Sequence, residues 1–541
     1  MNRPSWTRRA TAALLALTLG SCGGGGVGTG GTGFAMGTVT GFGSLLVDGQ
    51  AYSSATPTYY AGTSSDESTP VSAAAVELGG QLQLQLDANG SPTTVVVEPE
   101  LEGTVAQLSA NPQAGFVVNG VPVHVNADPT LGPVTYYSGL PGYGGLAGGM
   151  NVEVHGAFGI DAAGQGYVAA TLIEQQPATN RVTRVTGLVS GLDMAHCTLQ
   201  VGTTPVQLAA SATVLPAGAA LANGQVVSVW SNVPSTGALS VAVVRIRTLQ
   251  GLSGPVRLGG LVAQPTDHGF QIGGIPVDAG APGLATALAG LVPGQYVVVT
   301  GQVRAATGVV TASAIQAGAS QPAPAALHGT ITGFVSASSF LVRGVPVDAS
   351  QATFASAAAA ASLRNGVYVD ILGSIAGNTV RASSVAIEPA APVGATAEYV
   401  GVVGQYVPGS SAFVLTLPDG TQRSIGLAAN VAFGDGTLQQ LANGANVEVE
   451  GTVVAGGLSA YRVSFQRLGA PPEPGGAPGG ALQTSGPAYA VTPTAFTVNG
   501  LVIQVNGVTP QGGSLVDGAN VEVTFSVSGG QNLAQAISID D

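Results

Sequence analysis

The chain has 541 residues, a formal net charge of −13, 8% charged residues and 82 glycines. It is too long for one domain and too sparsely charged for an ordinary cytosolic enzyme. Its acidity, which deepens once a leader carrying Arg3, Arg8 and Arg9 is removed, opposes binding to phosphate backbones and excludes nucleic acid as an expected partner.

In residues 1–21 those three arginines precede an apolar run over 10–19, too short to span a bilayer, which reads as an export signal. Leu19-Gly20-Ser21-Cys22 follows and resembles the lipobox of bacterial lipoproteins, in which the cysteine is acylated and becomes the mature N-terminus. Gly23, in place of Asp after the cysteine, resembles the pattern that lets a lipoprotein pass to the outer membrane. Residues 22–35 form a Gly-rich tether. With Cys22 lipidated, Cys197 is a lone thiol, read as buried.

Beyond the tether one pattern recurs, L-x-x-G-x-x-V-x-V. It appears at Leu146, Gly149, Val152 and Val154, and again from Leu221, Leu291, Leu363, Leu441 and Leu515; a degenerate copy holds Val76, Gly79, Leu82 and Leu84. A glycine at positive φ reverses the chain, and apolar residues at period two then put one strand face on a core. A second pattern precedes it, an apolar hairpin with a two-residue turn: Asn119-Gly120, Gly273-Gly274, Arg343-Gly344. Pro122, Pro276 and Pro346 follow these turns and should leave the outer side of the third strand unpaired, with Val121, Val123, Ile275, Val277, Val345 and Val347 facing the core and His124, Asp278 and Asp348 exposed. Residues 354–363 and 284–291 suit short helices.

The resulting element order predicts an all-β chain of about seven tandem small five-stranded OB-like β-barrels, some with a short helix. Their phases are 36–98, 101–176, 182–248, 253–317, 327–388, 397–468 and 484–541, with a Pro/Gly linker over 469–483. The opening GTVTGFGSLLVDG over 37–49, the hairpins, the L-x-x-G strand and the lipobox resemble an uncharacterised family of bacterial lipoprotein repeats, domain of unknown function family 5666. The resemblance covers nearly the whole mature chain and brings no activity or catalytic residues with it.

Chemistry is sparse. His124, His155, His196, His268 and His328 lack the spacing of a metal site, and alternation places His124 and His155 on the solvent side. Glu153, Asp370, Glu448, Glu450 and Glu522 read as a solvated strand face. No catalytic set, metal site or cofactor is expected. Two features suggest ligand contact: Arg245 and Arg247 on one strand face, as a small anion site, and Tyr136, Tyr137 and Tyr143 in an exposed insertion over 131–148, as a sugar or partner contact.

The function expected is a non-enzymatic, membrane-anchored envelope lipoprotein, a multi-domain spacer, scaffold or adhesion module whose partners are the membrane and an envelope protein or glycan. A carbohydrate or peptidoglycan binder using an exposed barrel face is the alternative, and a hydrolase ranks last. The expected location is the bacterial cell envelope, with the lipid anchor in the outer membrane. Cys22→Ser should move the protein from the membrane to the soluble fraction; a variant still membrane-bound after normal signal processing would refute the anchor.

Overall fold

The computed structural model describes residues 33–42, 45–52, 57–62, 71, 75–177, 182–231, 237–317, 325–388, 393–394, 396–417, 421–434, 437–465, 482–489, 491–498, 501–505, 507–511, 514–516, 519–528 and 531–540. The described chain is all-β apart from short helical turns. Its strands fall into seven blocks, beginning at Gly33, Leu101, Thr183, Gly254, Ala325, Thr396 and Leu482; we call these units 1 to 7. Gly33–Phe42 is already a buried strand, so the end of the expected tether belongs to unit 1.

Unit 2 shows the wiring. Leu101–Ala106 pairs with Phe116–Val118, which pairs with Val121–Val125; that strand runs parallel to Gly166–Gln175, which pairs with Asn151–Ile160, and the last returns to Leu101–Ala106. Units 3, 4 and 5 repeat this ring, and units 6 and 7 form closed five-stranded barrels. Unit 1 departs: its parallel partner for Pro92–Val97 is the extra strand Thr58–Ala61.

The L-x-x-G glycines behave as their spacing predicts. Gly149, Gly224, Gly294, Gly366 and Gly444 take φ between +79° and +90°, where a side chain would be strained. In each, the amide donates to the opening strand of its own unit, at Val105, Val189, Val262, Ile331 and Val403, over 2.7 to 2.9 Å. The turns Asn119-Gly120, Gly273-Gly274 and Arg343-Gly344 have both residues at positive φ, the two-residue type whose twist matches the strands. Each proline pairs inside its hairpin, and the outer parallel pairing starts one residue later, at Val123, Val277 and Val347. The six flanking apolar residues are buried; His124 is exposed, whereas Asp278 and Asp348 are half-buried. Ala357–Ala361 and Ala285–Ala289 are the short helices, the first capped by Ser356 Oγ, which accepts from the Ala359 amide at 3.1 Å.

Units 1 to 5 are not the discrete barrels of the sequence reading but β-coils stacked and joined through their sheets. Phe34–Met36 runs parallel to Val256–Leu258 of unit 4, and Gly41-Phe42 parallel to Ala326-Leu327 of unit 5, giving one 17-stranded sheet. Units 2 and 3 form an 11-stranded sheet. Cores merge accordingly: Phe34 and Met36 pack into unit 4, and units 1 and 5 share one cluster. A core of this size is only marginally sufficient by itself, and edge pairing adds burial and covers strand edges. Glycine permits the approach, since a Cβ on Gly41 would lie 2.2 Å from the Ala326 carbonyl oxygen.

Unit 7 closes on itself around its own core of Phe496, Val498, Ile503, Val521, Val523 and Ile537. A fragment starting at residue 480 should therefore fold alone and melt cooperatively; a random-coil circular dichroism spectrum would show that unit 7 depends on its neighbours.

Candidate functional site

The chemistry-bearing side chains concentrate where units meet. The connection between units 1 and 2 reads Glu98-Pro99-Glu100-Leu101-Glu102, a composition that suggests a solvated linker. Instead Glu98, Glu100 and Glu102 are 2%, 1% and 3% exposed. Buried carboxylates need cationic or hydrogen-bonded partners, and unit 3 supplies them to Glu98 and Glu100. Arg184, fully buried in the opening strand Thr183–Asp193, pairs through Nη2 with Glu98 Oε1 and donates from Nη1 to the Gly62 carbonyl at 2.6 Å. Arg245 Nη1 lies 3.3 Å from Glu98 Oε2, and Arg247 Nη2 lies 2.7 Å from Glu100 Oε2. The Trp230 ring stacks with the cluster, its centroid 5.5 Å from the Arg184 guanidinium carbon and 5.2 Å from that of Arg245.

A second polar chain crosses units 2, 1 and 4. Glu153 Oε1 meets buried His155 Nε2 at 2.8 Å, and the Gln81 amide donates to His155 Nδ1 at 3.2 Å, which favours the tautomer protonated on Nε2. Thr38 Oγ1 donates to Gln81 Oε1 and lies 3.3 Å from Tyr296 Oη, which donates to Asp48 Oδ1 at 2.7 Å. Arg257 Nη2 donates to the Asp48 carbonyl at 3.0 Å. Burial would lower the His155 pKa, but the Glu153 hydrogen bond and the charges of Glu153, Glu174 and Glu77 outweigh it and leave it raised. Burial, then the charges of Glu77 and Glu153, push Glu174 up to about 8. Asp48 is raised from 3.8 to about 6 by burial, against the Tyr296 and Thr38 hydrogen bonds and Arg257.

One local device builds both junctions. The side chain of the first turn residue folds back over a glycine in its own opening strand: a Cβ on Gly37 would lie 2.0 Å from Asp48 Oδ2, and one on Gly103 2.5 Å from Asn119 Oδ1. The turn then docks on another unit. Asn119 Nδ2 donates to the Arg184 carbonyl at 3.0 Å, and Asp48 Oδ2 lies where a Cβ on Gly259 of unit 4 would be 1.9 Å away. Arg343 Nη2 is 2.6 Å from Glu450 Oε1 of unit 6, and its guanidinium carbon stands 4.5 Å from the Phe42 ring centroid of unit 1. The Gly-Thr openings of the repeats carried this signal, which their reading as strand starts missed.

Several expected placements change. Arg245 and Arg247 hold internal carboxylates and do not present an open anion site. Tyr136 and Tyr137 are buried, the first in the core shared by units 1 and 5 and the second in that of units 2 and 3, so they offer no exposed loop surface. Tyr143 is half-buried and donates to the Ser109 and Gly115 carbonyls at 2.9 Å. His155 lies on the outer face, as alternation predicts, but is buried because unit 1 covers that face and donates the Gln81 amide to its ring. Glu153 and Glu450 sit in contacts between units or beside them, not on a solvated face. Cys197 is a free, half-buried thiol, and Cys22 lies outside the described residues. Among the described residues no cluster of three or more His, Cys, Asp or Glu could hold a metal ion.

Three segments, 102–174, 328–386 and 485–538, match the family described as Domain of unknown function (DUF5666). Those three segments are DUF5666 repeats. The matches coincide with units 2, 5 and 7. No curated protein matches the chain.

Asp48 gives the junction a pH dependence. The folded protein keeps Asp48 protonated where the unfolded chain has released the proton, so its contribution to stability falls as pH rises from 3.8 to about 6. Asp48→Asn, which retains the acceptor facing Tyr296, should raise the urea midpoint near neutral pH and leave it little changed near pH 4. Parallel pH profiles for the two proteins would contradict this.

Proposed function

We propose that this protein is a non-enzymatic scaffold of the bacterial cell envelope, anchored through lipidated Cys22, in which OB-like barrels are locked into a rigid body that displays surface at a fixed distance from the membrane. The observation that carries the reading is the grip of Arg184, Arg245 and Arg247 on Glu98 and Glu100. A flexible spacer would leave its linker in water, since burying five charges costs several kcal/mol per ion before pairing repays it. Here the linker is the most heavily bonded part of the junction. The Asp48–Tyr296 contact extends the lock to unit 4. Export, suggested by the arginine-led apolar segment, agrees with an anchored role.

Rigidity is measurable. With Cys197→Ser as background, nitroxide labels on Asn89→Cys in unit 1 and Ala195→Cys in unit 3, both at exposed turns, should give one narrow distance distribution by pulsed electron resonance. Arg245→Met with Arg247→Met should broaden it. A broad distribution in the parent protein would defeat the scaffold reading.

A further inference from the structure

Units 2 and 4 also meet along a seam, where Ala157 packs with Leu261, Tyr296 and Val298, and Tyr167 and Ala169 flank them. Beside this seam a cleft of about 620 Å³ opens, lined by Pro122, His124, Asp161, Gln165, Tyr167 and Pro293 among others. Clefts of this size are typical of small-molecule sites. The Tyr167 ring is fixed by its surroundings. It lies across Gly159, its cross-strand partner, where a Cβ would be 2.6 Å from the ring Cζ. The His124 ring meets it edge-on at 5.1 Å and 80°, and a Cβ on Gly294 of unit 4 would lie 3.0 Å from its hydroxyl.

What distinguishes the cleft is its unengaged polar groups. Asp161 uses Oδ1 to accept from the Ala163 and Gln165 amides at 2.9 and 2.8 Å, which leaves Oδ2. Among the described residues, the Tyr167 hydroxyl, the His124 ring nitrogens and the Gln165 side-chain amide make no hydrogen bond within the protein. An aromatic ring with its orientation set, beside several donors and acceptors, is complementary to a pyranose, whose C–H face packs on the ring while its hydroxyls bond around the edge. Asp161 is the one charged residue in the lining, and burial lowers the His124 pKa, so the cleft disfavours anions.

We propose that the cleft between units 2 and 4 binds an uncharged saccharide through Tyr167, His124, Asp161 and Gln165. This goes beyond the scaffold role and places the glycan contact at residues other than the tyrosine insertion. Calorimetric titration of the full mature chain with cellotetraose, maltotetraose, mannotetraose and chitotetraose tests it, with trigalacturonate and choline as anionic and cationic probes. At least one uncharged tetrasaccharide should bind at one site. Tyr167→Ala should weaken it by about tenfold, the scale of one lost aromatic contact, while Tyr167→Phe retains most of it. Gln165→Ala, at an exposed position that leaves the fold intact, should weaken it several-fold. The proposal fails if none of the four sugars binds, if Tyr167→Ala and Gln165→Ala leave binding unchanged, or if only trigalacturonate or choline binds.

Discussion

In every L-x-x-G turn from unit 1 to unit 6, the amide of one glycine is donated to one carbonyl of the opening strand, and the rest of the unit depends on that bond. Gly79 to Val39 is the first instance and Gly444 to Val403 the last. The bond starts the antiparallel pairing of the fourth strand with the first, which with the hairpin and the parallel closing strand completes the ring. Only a residue at ease with positive φ can reverse the chain there and still present its amide inward. The leucine three positions before it then caps the core, as buried Leu146, Leu291, Leu363 and Leu441 do.

Closing a ring satisfies a unit's own backbone but leaves a small core and a large shared surface. The fold resolves this with the hairpin turn. Bending over a glycine, the turn side chain of one unit becomes the contact made to another: a carboxylate at Asp48, an amide at Asn119, a guanidinium at Arg343. Charge buried in this way adds little net stability once desolvation is counted. It does penalise every arrangement that leaves an ion unpaired, so it selects one mutual orientation of the units. The five ions around Trp230 are the strongest instance, and they turn a Glu-Pro-Glu segment into a fixed joint.

This arrangement separates two kinds of surface. Polar groups at the joints are mutually engaged, so they serve cohesion. Groups around Tyr167 are held in place with their hydrogen-bonding capacity open, on a seam that exists only because units 2 and 4 are locked. A repeat of modest individual stability thereby gains a composite cleft that no single unit possesses, which is a common way for repeat proteins to acquire recognition without changing the repeat.

Much of the local structure was written in the sequence. Glycine spacing, period-two valines, Asn-Gly and Gly-Gly turns and the prolines after them act within a few residues, so they determined the strands, the turn type, and the register around Pro122, Pro276 and Pro346. The tertiary structure alone decided which polar residues are functional in the assembly. Glu98 finds Arg184 from 86 residues away, and Glu100 finds Arg247 from 147. Nothing local distinguishes a carboxylate in a solvated linker from one gripped by distant arginines. Alternation likewise placed His155 outside, because period two reports only that successive side chains diverge. Whether the outer face meets water or another unit depends on how the coils stack, and a strand covered on both sides buries its polar residues along with its valines.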